Sequence, residues 1–397
     1  MVRMVDLFNR AKKHMEGKEE PPKQPMPSQP VEKEQPPVSE KKPSIFKEQP
    51  AKPPVPEKEK VPVKQPVEFA HMLSEITESY SLLEKKEDIA RNFMRTSMPD
   101  GEEMKKVYFE ALNSIREIFN LYKDNATIDE NKIMAIANRI VNNVILDSPA
   151  LIRLIHESDS PELYIYHNAV NVSIISVAMG LIYKYNKSKL LDLAVIGLLH
   201  DIDLVHNRHI IDKPAKLNEA ELKEITSHPL NAATFVDNAL NFTKEIVNGI
   251  LQHHERKDGN GYPAGLNDLQ IQDFAEIVGL ADTYASMTHY RPYKEKTSPH
   301  LAILNIINTG KNSFSNNVVK ALVACIGLYP VGTWLELNTG EICKVLNTNY
   351  DSPLRPVISI LLDKNKNKLR EIRTIDLRDI PSLYIKQIVD EKSVVNS

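Results

Sequence analysis

Hydrophobic positions recur at helical spacing through most of the chain. Between Met104 and Ser158, apolar residues three and four positions apart predict two amphipathic helices, the second beginning near Asp129. Residues 162–326 continue in the same way, with Pro and Gly separating the apolar runs. The middle of the chain, residues 104–326, is therefore predicted to be an all-helical domain.

The pattern changes after Gly327 to the alternation that is typical of strands. Two β-rich runs flank Asn338-Thr339-Gly340 and predict a hairpin. Apolar runs at 356–362 and 372–377 predict a third and a fourth strand. Residues 327–397 are therefore predicted to form a small β-rich appendage.

The first hundred residues have a different composition. Residues 1–66 hold 14 of the 26 prolines, mixed with Lys, Glu and Gln. Such a segment buries too little apolar surface to offset chain entropy, so we predict a disordered, Pro-rich tether with a short helix at 2–15. Residues 67–103 are predicted to form a linker helix, because Met72, Ile76 and later apolar residues follow helical spacing.

Charge and cysteine content exclude several classes of function. The chain has 50 Lys and Arg against 53 Asp and Glu, a net charge of -3, which gives no global reason to expect nucleic acid or an anionic membrane as a partner. The longest apolar stretch, Val172 to Ile182, is too short to span a bilayer. Cys325 and Cys343 lie in apolar segments, so we expect no disulfide framework and a reduced, cytoplasmic setting.

Histidines provide the candidate chemistry. Ten of the twelve lie between His156 and His300, and several stand beside Asp or Glu in apolar helices. An isolated pair such as His200-Asp201 is more often a helix end than a site, but five separated segments each offer a His or Asp next to core residues. Burying so many ionisable groups without a cation would leave them poorly compensated. Because imidazole and carboxylate suit divalent iron, manganese or zinc, the pattern predicts a metal site in the helical core.

One segment resembles a known family. The run HHERKDGNGYP, from His253 to Pro263, is similar to the signature of the HD-GYP family, a subgroup of the HD-domain metal-dependent phosphohydrolases. The resemblance covers about residues 104–326 and implies an HD-type helical bundle. The other motifs follow in the family's order: His167, His200-Asp201, Lys213-Pro214, His228-Pro229, Asp282 and Arg291-Pro292-Tyr293.

The resemblance implies an enzyme that hydrolyses cyclic di-GMP to linear pGpG, or further to GMP. It implies two divalent ions, iron or manganese, that activate a water against the phosphodiester. Arg291 and Lys294 would contact the substrate phosphate, and Tyr262 would line the cleft or serve as a docking surface for a partner. Asp201 would be the catalytic residue, since its two oxygens can bridge two ions. The implied metal ligands are His167, His200, Asp201, His228, His253, His254 and Asp282.

The sequence departs from the family at two positions. The Lys that the family has three residues after the Asp is Leu204 here, and Asp203 adds a negative charge beside it; losing one such contact slows turnover by about 100- to 1000-fold. The Glu that holds a third metal in some members is replaced by Leu163, so we predict two metals. His206 and His209 are expected in an exposed loop. The remaining histidines of this region, His156, His289 and His300, are expected to lie at the surface or to pack in the interior.

Two other functions remain open. In the first, the domain is catalytically impaired because of Leu204, binds metal or cyclic di-GMP, and signals through protein contacts of the tether or the Gly-Tyr-Pro loop. In the second, catalysis is retained but the substrate is another nucleotide. The oligomeric state does not follow from the sequence.

Overall fold

The computed structural model describes residues 101–157, 163–213, 215–289, 296–349 and 352–389, except for the side chains of residues 156, 157, 311 and 370. The predicted tether, its short helix and residues 67–100 of the predicted linker helix lie outside the described residues. So does the segment that holds Arg291 and Lys294.

The described part of the chain is mainly helical, as predicted. Short 3-10 helices at Ile202–Val205 and Gly310–Asn312 join longer elements. The helices are α1 (Gly101–Lys123), α2 (Glu130–Glu157), α3 (Tyr164–Ile182), α4 (Lys187–Leu199), α5 (Arg208–Ile211), α6 (Glu219–Ile225), α7 (His228–Ala239), α8 (Lys244–Gln252), α9 (Asp273–Thr288), α10 (Pro299–Thr309) and α11 (Asn316–Ile326).

The two predicted amphipathic helices are α1 and α2. Helix α1 buries one apolar stripe that includes Met104, Tyr108 and Phe119. Helix α2 is kinked at Asp147, whose backbone is extended (φ -154°, ψ 77°) and whose carboxylate accepts a hydrogen bond from the Ala150 amide at 3.1 Å. Asp147 therefore caps the second half of the helix, as an N-cap residue does.

Helix α3 is the central helix of the bundle. Its most apolar 18-residue window has a mean hydropathy of 1.5, so by length and composition alone it could cross a membrane, but 89% of that window is buried inside the protein. The helix packs against α1, α2, α4, α9 and α11. Its polar side chains, such as Asn168, Asn171 and Ser173, consequently meet other protein groups.

Two glycines allow the helices that carry candidate ligands to approach closely. A Cβ atom at Gly197 of α4 would lie 2.5 Å from the Cα of Ser173 on α3. A Cβ atom at Gly279 of α9 would lie 2.2 Å from the carbonyl oxygen of His253. Neither position accommodates a side chain, so α4 packs directly on α3, and α9 packs directly on the end of α8.

The C-terminal segment forms an antiparallel sheet of strand order β4-β3-β2-β1-β5 with a small apolar core of its own. The predicted hairpin and the third and fourth strands are confirmed, although β4 begins at Lys368. Strand β5 was not predicted. Tyr329 packs against both this core and the helical core. The strands are β1 (Trp334–Leu337), β2 (Ile342–Asn347), β3 (Val357–Leu362), β4 (Lys368–Asp376) and β5 (Ile385–Ile388).

Candidate metal centre

Six of the seven predicted ligands come from four places in the bundle. His200 is the C-cap of α4 and Asp201 follows it. His228 is the first residue of α7. The pair His253-His254 directly follows α8, and Asp282 lies in the middle of α9.

These residues form two groups of possible metal ligands, within each of which the ligand atoms lie within 4.8 Å of one another. We call Asp201, His228, His253 and His254 the histidine group, and His200, Asp201 and Asp282 the carboxylate group. Asp201 belongs to both groups. Six of the seven predicted ligands are thus brought together around one shared carboxylate.

The two oxygens of Asp201 face different groups. Its Oδ1 lies 3.0 Å from His228 Nε2 and 3.7 Å from His253 Nε2. Its Oδ2 lies 3.1 Å from His200 Nε2, which in turn lies 3.8 Å from Asp282 Oδ1. A carboxylate with this placement can coordinate two cations at once, one through each oxygen.

Three of the histidines are held by the same local contact. The Nδ1 atoms of His200, His228 and His253 lie 2.8, 2.7 and 2.6 Å from the carbonyl oxygen three residues earlier in the chain. A carbonyl oxygen can only accept, so each Nδ1 must carry the proton. In the neutral rings the lone pair is then on Nε2, the atom that points into the cluster.

The Nε2 atoms of His228 and His253 lie only 3.3 Å apart. Since Nδ1 is the protonated nitrogen of both rings, two neutral rings would direct lone pairs at each other across this distance. A cation between them removes the repulsion. Within the described residues, Asp201 Oδ1 is also buried without a hydrogen-bond partner. Unsatisfied buried polar atoms of this kind are rare unless they bind an ion or water.

Burial and charge prepare the histidine group for metal at neutral pH. Burial lowers the pKa of His253 to about 4. Burial, together with the neighbouring His253 and His228, holds the pKa of His254 well below its usual range. These two rings are therefore neutral at pH 7, which is the form that binds metal.

The carboxylate group has the opposite electrostatics. Burial disfavours a charged His200, but the carboxylates of Asp201 and Asp282 outweigh burial and raise its pKa to about 10. Burial likewise disfavours the charged carboxylates, but His200 lowers the pKa of both Asp201 and Asp282. A proton on His200 and a divalent cation are thus alternative ways to compensate the two carboxylates. The donor set of both groups, imidazole nitrogens and carboxylate oxygens, fits a divalent transition metal.

His167 is the predicted ligand that belongs to neither group of the described residues. It is buried on α3, and its Nδ1 lies 3.0 Å from the hydroxyl of Tyr108 on α1. That hydroxyl also donates to Asn171 Oδ1 at 2.8 Å. The Nδ1 of His167 is therefore engaged with Tyr108, and the role of His167 as a ligand stays a prediction.

Sequence reasoning missed Asn168, the residue after His167. Its amide nitrogen donates to Asp201 Oδ2 at 3.2 Å and to Asp282 Oδ1 at 2.8 Å. The available signal was weak: an asparagine in an otherwise apolar helix that the pattern places in the core.

The Gly-Tyr-Pro loop, Gly261 to Pro263, packs against the histidine group. The ring of Tyr262 stacks on His254 with centroids 4.5 Å apart. The buried carboxylate of Glu255 accepts hydrogen bonds from the amides of Ala264 at 2.6 Å and Leu266 at 2.8 Å. A Cβ atom at Gly261 would lie 2.4 Å from Glu255 Cα, so the loop crosses directly over this part of the chain. Tyr262 therefore lies beside His254, and its role in lining the cleft or docking a partner stays a prediction.

The departures from the family have structural explanations. Leu204 is part of the apolar core. Asp203 is buried, but it accepts hydrogen bonds from Tyr122 at 2.8 Å and Asn231 at 2.9 Å and belongs to neither ligand group of the described residues. The added negative charge that we expected beside the site is therefore engaged elsewhere. His206 and His209 are exposed, as predicted, although His209 lies in the short helix α5 and not in a loop.

The remaining candidates have simpler outcomes. His289 and His300 are buried packing residues whose rings contact backbone carbonyl groups. Leu163 is described and packs against the core. The side chain of His156, and all of Arg291 and Lys294, lie outside the described residues.

Comparison with known proteins agrees with the motifs. Residues 149–318 match the HD domain family, and residues 334–397 match the KOW domain associated with HD domain. A cyclic di-GMP phosphodiesterase of Pseudomonas aeruginosa is 28% identical over 264 residues, which cover 66% of this chain and 63% of that protein. A cyclic di-GMP phosphodiesterase of Borreliella burgdorferi is 28% identical over 234 residues, 58% of this chain and 61% of that protein.

A third relative is named for a different cyclic dinucleotide. The 3'3'-cGAMP-specific phosphodiesterase 1 of Vibrio cholerae is 35% identical over 117 residues, which cover 29% of this chain and 26% of that protein. The chain spans less than two thirds of the length of these curated relatives. The resemblance seen in the motifs is thus confirmed at the level of the domain: one segment of the chain matches the HD domain, the segment after it matches the KOW domain associated with HD domain, and the chain is similar to proteins named cyclic dinucleotide phosphodiesterases.

Proposed function

We propose that this protein is a metal-dependent phosphodiesterase that hydrolyses cyclic di-GMP to linear pGpG. The observation that carries the proposal is the sharing of Asp201 between the histidine group and the carboxylate group. A carboxylate with one oxygen toward each group is suited to a pair of ions a few ångströms apart, the arrangement that supports phosphodiester hydrolysis.

The chain's own residues would hold two divalent ions. His253 and His254 offer neutral imidazoles, His228 offers its Nε2, and Asp282 and the shared Asp201 offer negative oxygens. Bound ions would supply Lewis-acid chemistry, that is, activation of water and neutralisation of charge on the phosphate. Iron and manganese are the metals we propose, because both accept mixed imidazole and carboxylate ligands. The fixed Nδ1 contacts keep the rings oriented before any ion binds.

Substrate contacts are proposed from the place of Tyr262 in the structure and, for Arg291 and Lys294, from the family motif. Tyr262, stacked on His254, forms one wall beside the histidine group and can present its ring to a base. Arg291 and Lys294 would contact the phosphates, since a guanidinium and an ammonium group are suited to phosphate oxygens. The names of the relatives support cyclic di-GMP as the substrate. We place the reaction in the cytoplasm, in keeping with the two free cysteines.

A second candidate function has a specific observation behind it. The match to a 3'3'-cGAMP-specific phosphodiesterase is higher in identity but covers a shorter segment. Its substrate shares the cyclic phosphate backbone and differs in one base. Contacts to the bases would then determine which of the two cyclic dinucleotides is hydrolysed, and the same metal centre would act on either. The impaired module suggested by Leu204 would also bind metal, so the assembled ligand groups fit both functions and the turnover assay separates them.

Elemental analysis of anaerobically purified protein, paired with a turnover assay on cyclic di-GMP, 3'3'-cGAMP and a mononucleotide, tests the proposal. We expect two ions per chain and conversion of cyclic di-GMP to pGpG that stops on chelation and returns with Fe(II) or Mn(II). His228→Gln should abolish turnover. The matched control is His300→Gln, because His300 is also buried with Nδ1 on a carbonyl, at 2.8 Å, but lies outside both groups.

Two results would contradict the proposal. Full metal occupancy with binding of cyclic di-GMP but no turnover would identify an impaired binding module. Faster hydrolysis of 3'3'-cGAMP than of cyclic di-GMP would keep the reaction and change the substrate.

A further inference from the structure

Asn168 occupies an unusual position for an amide side chain. It lies on α3, is only 1% exposed, and is surrounded by residues of the helical core. Burying an uncharged polar group costs free energy unless its hydrogen bonds are made inside the protein. The partners of Asn168 are therefore expected to explain why this residue is there.

Those partners are the two aspartates of the carboxylate group. The amide nitrogen lies 3.2 Å from Asp201 Oδ2 and 2.8 Å from Asp282 Oδ1. A carboxylate oxygen only accepts hydrogen bonds, so the nitrogen, and not the oxygen, of the amide must face it. The NH₂ group has two hydrogens, and the geometry assigns one to each carboxylate.

This hydrogen bond also distinguishes the two oxygens of Asp201. Oδ2 is bonded to Asn168 and faces His200, whereas Oδ1 has no hydrogen bond within the described residues and faces His228. The amide thereby fixes the rotation of the carboxylate about its Cβ–Cγ bond. One oxygen remains directed toward the histidine group, and the other toward the carboxylate group.

The same contact brings two like charges together. Asp201 and Asp282 come from separate segments, 81 positions apart in sequence, and their carboxylates repel each other in a buried setting. A neutral donor between them offsets part of that repulsion without adding a positive charge that would compete with a metal. A Lys or Arg at this place would bring such a charge.

We propose that Asn168 is a positioning residue of the metal centre, which holds Asp201 and Asp282 at the spacing and rotation that let Asp201 serve both ligand groups. This inference rests on the proposed two-ion centre. It predicts that removal of the amide lowers the metal affinity of the carboxylate group selectively. Removal of the amide should also disturb the coordination of two ions by Asp201.

The test uses Asn168→Leu, which keeps the approximate size and shape of the side chain but donates no hydrogen bond. Stepwise Mn(II) titration of the metal-free protein should give two binding steps, and in the variant the weaker step should lose about 10- to 100-fold in affinity, the usual effect of removing a group that orients a ligand. Electron paramagnetic resonance of the fully loaded protein supplies the second measurement. The signal of two coupled Mn(II) ions should be lost or reduced in the variant.

The matched control is Asn207→Leu. Asn207 is also a buried asparagine whose amide donates to a carboxylate, that of Glu224 at 2.9 Å, but neither residue is in a ligand group. Should Asn168→Leu disturb packing, as judged by its thermal midpoint, Asn168→Ser provides the same test, because a single hydroxyl cannot donate to both carboxylates. Unchanged coupling and affinities in the Asn168 variants would overturn the inference. Failure of the wild-type protein to bind two ions would instead overturn the proposed function.

Discussion

The histidine group and the carboxylate group share Asp201 but are built in different ways. Each of His228 and His253 is oriented by a carbonyl only three residues earlier, so its geometry is local. The Asp282 carboxylate is instead oriented by Asn168, 114 residues away in sequence. The orientation of these histidine rings depends on the ends of single helices, whereas the orientation of Asp282 depends on the packing of α3 against α9.

The two groups also differ in charge before metal binds. In the histidine group, burial keeps His253 and His254 neutral. In the carboxylate group, two negative carboxylates raise the pKa of His200 and retain its proton. One group is therefore ready for a cation at neutral pH, whereas the other must first release a proton.

The largest effect is expected from the residue that the groups share. Asp201→Ala should lower bound metal below one ion per chain and reduce turnover to background, because it removes a ligand from both groups. His254→Ala and Asp282→Ala should each leave about one ion, since each belongs to a single group. Elemental analysis of the three purified variants measures this difference.

Thermal unfolding of each variant in chelator is the control for that series, since a folded protein must still be present. If Asp201→Ala retained two ions, the bridging assignment would be wrong. If His254→Ala or Asp282→Ala lost both ions, the two groups would bind metal only together.

A change of pH is expected to have an intermediate effect on metal affinity. In the metal-free protein His200, with a pKa of about 10, is protonated at pH 7, so loading the carboxylate group should release about one proton per chain and its affinity should rise about tenfold per pH unit through neutrality. The histidine group should release none from His253, whose pKa of about 4 already lies below this range. Calorimetric titration in buffers of different ionisation enthalpy counts the protons.

His254→Ala is the control here, because it should leave the proton count at about one. A count near zero for the wild-type protein would show that His200 is already neutral when the ion arrives, and the proposed electrostatic difference between the groups would be lost.

The smallest effect on metal binding is expected from Tyr108, whose hydroxyl contacts His167. Tyr108→Phe removes the hydroxyl next to His167 Nδ1 and should lower metal affinity about threefold to tenfold if His167 is a ligand. Tyr122→Phe is the matched variant, because its hydroxyl lies on the same helix and donates to Asp203 rather than to a candidate ligand. Equal metal affinities of the two variants would argue against His167 as a ligand.

Much of the fold follows from local sequence patterns. The helices could be predicted because apolar residues such as those of α1 repeat every three or four positions, and the hairpin because Asn338-Thr339-Gly340 separates two β-rich runs. Strand β5 was missed because it has four residues and mostly exposed side chains, so it lacks a buried alternation. Its place in the sheet is set by pairing with β1, a contact that no local pattern records.

The site was predictable to a similar extent. His200, Asp201 and the His253-His254 pair could be assigned because motif and chemistry coincide within a few residues. Asn168 and Tyr108 could not, because their importance lies in hydrogen bonds to residues 33 to 114 positions away. Such contacts exist only after α1, α3 and α9 have packed together.

Helix α1 ends 26 positions before the matched HD domain begins, yet Tyr108 reaches the side chain of His167 inside it. The limits that sequence similarity assigns to a domain are therefore narrower than its physical unit. A gene fragment trimmed to residues 149–318 would uncover the apolar flank of α3 and lose the hydroxyl that contacts His167. Expression and crystallisation of the isolated helical domain should start no later than Gly101.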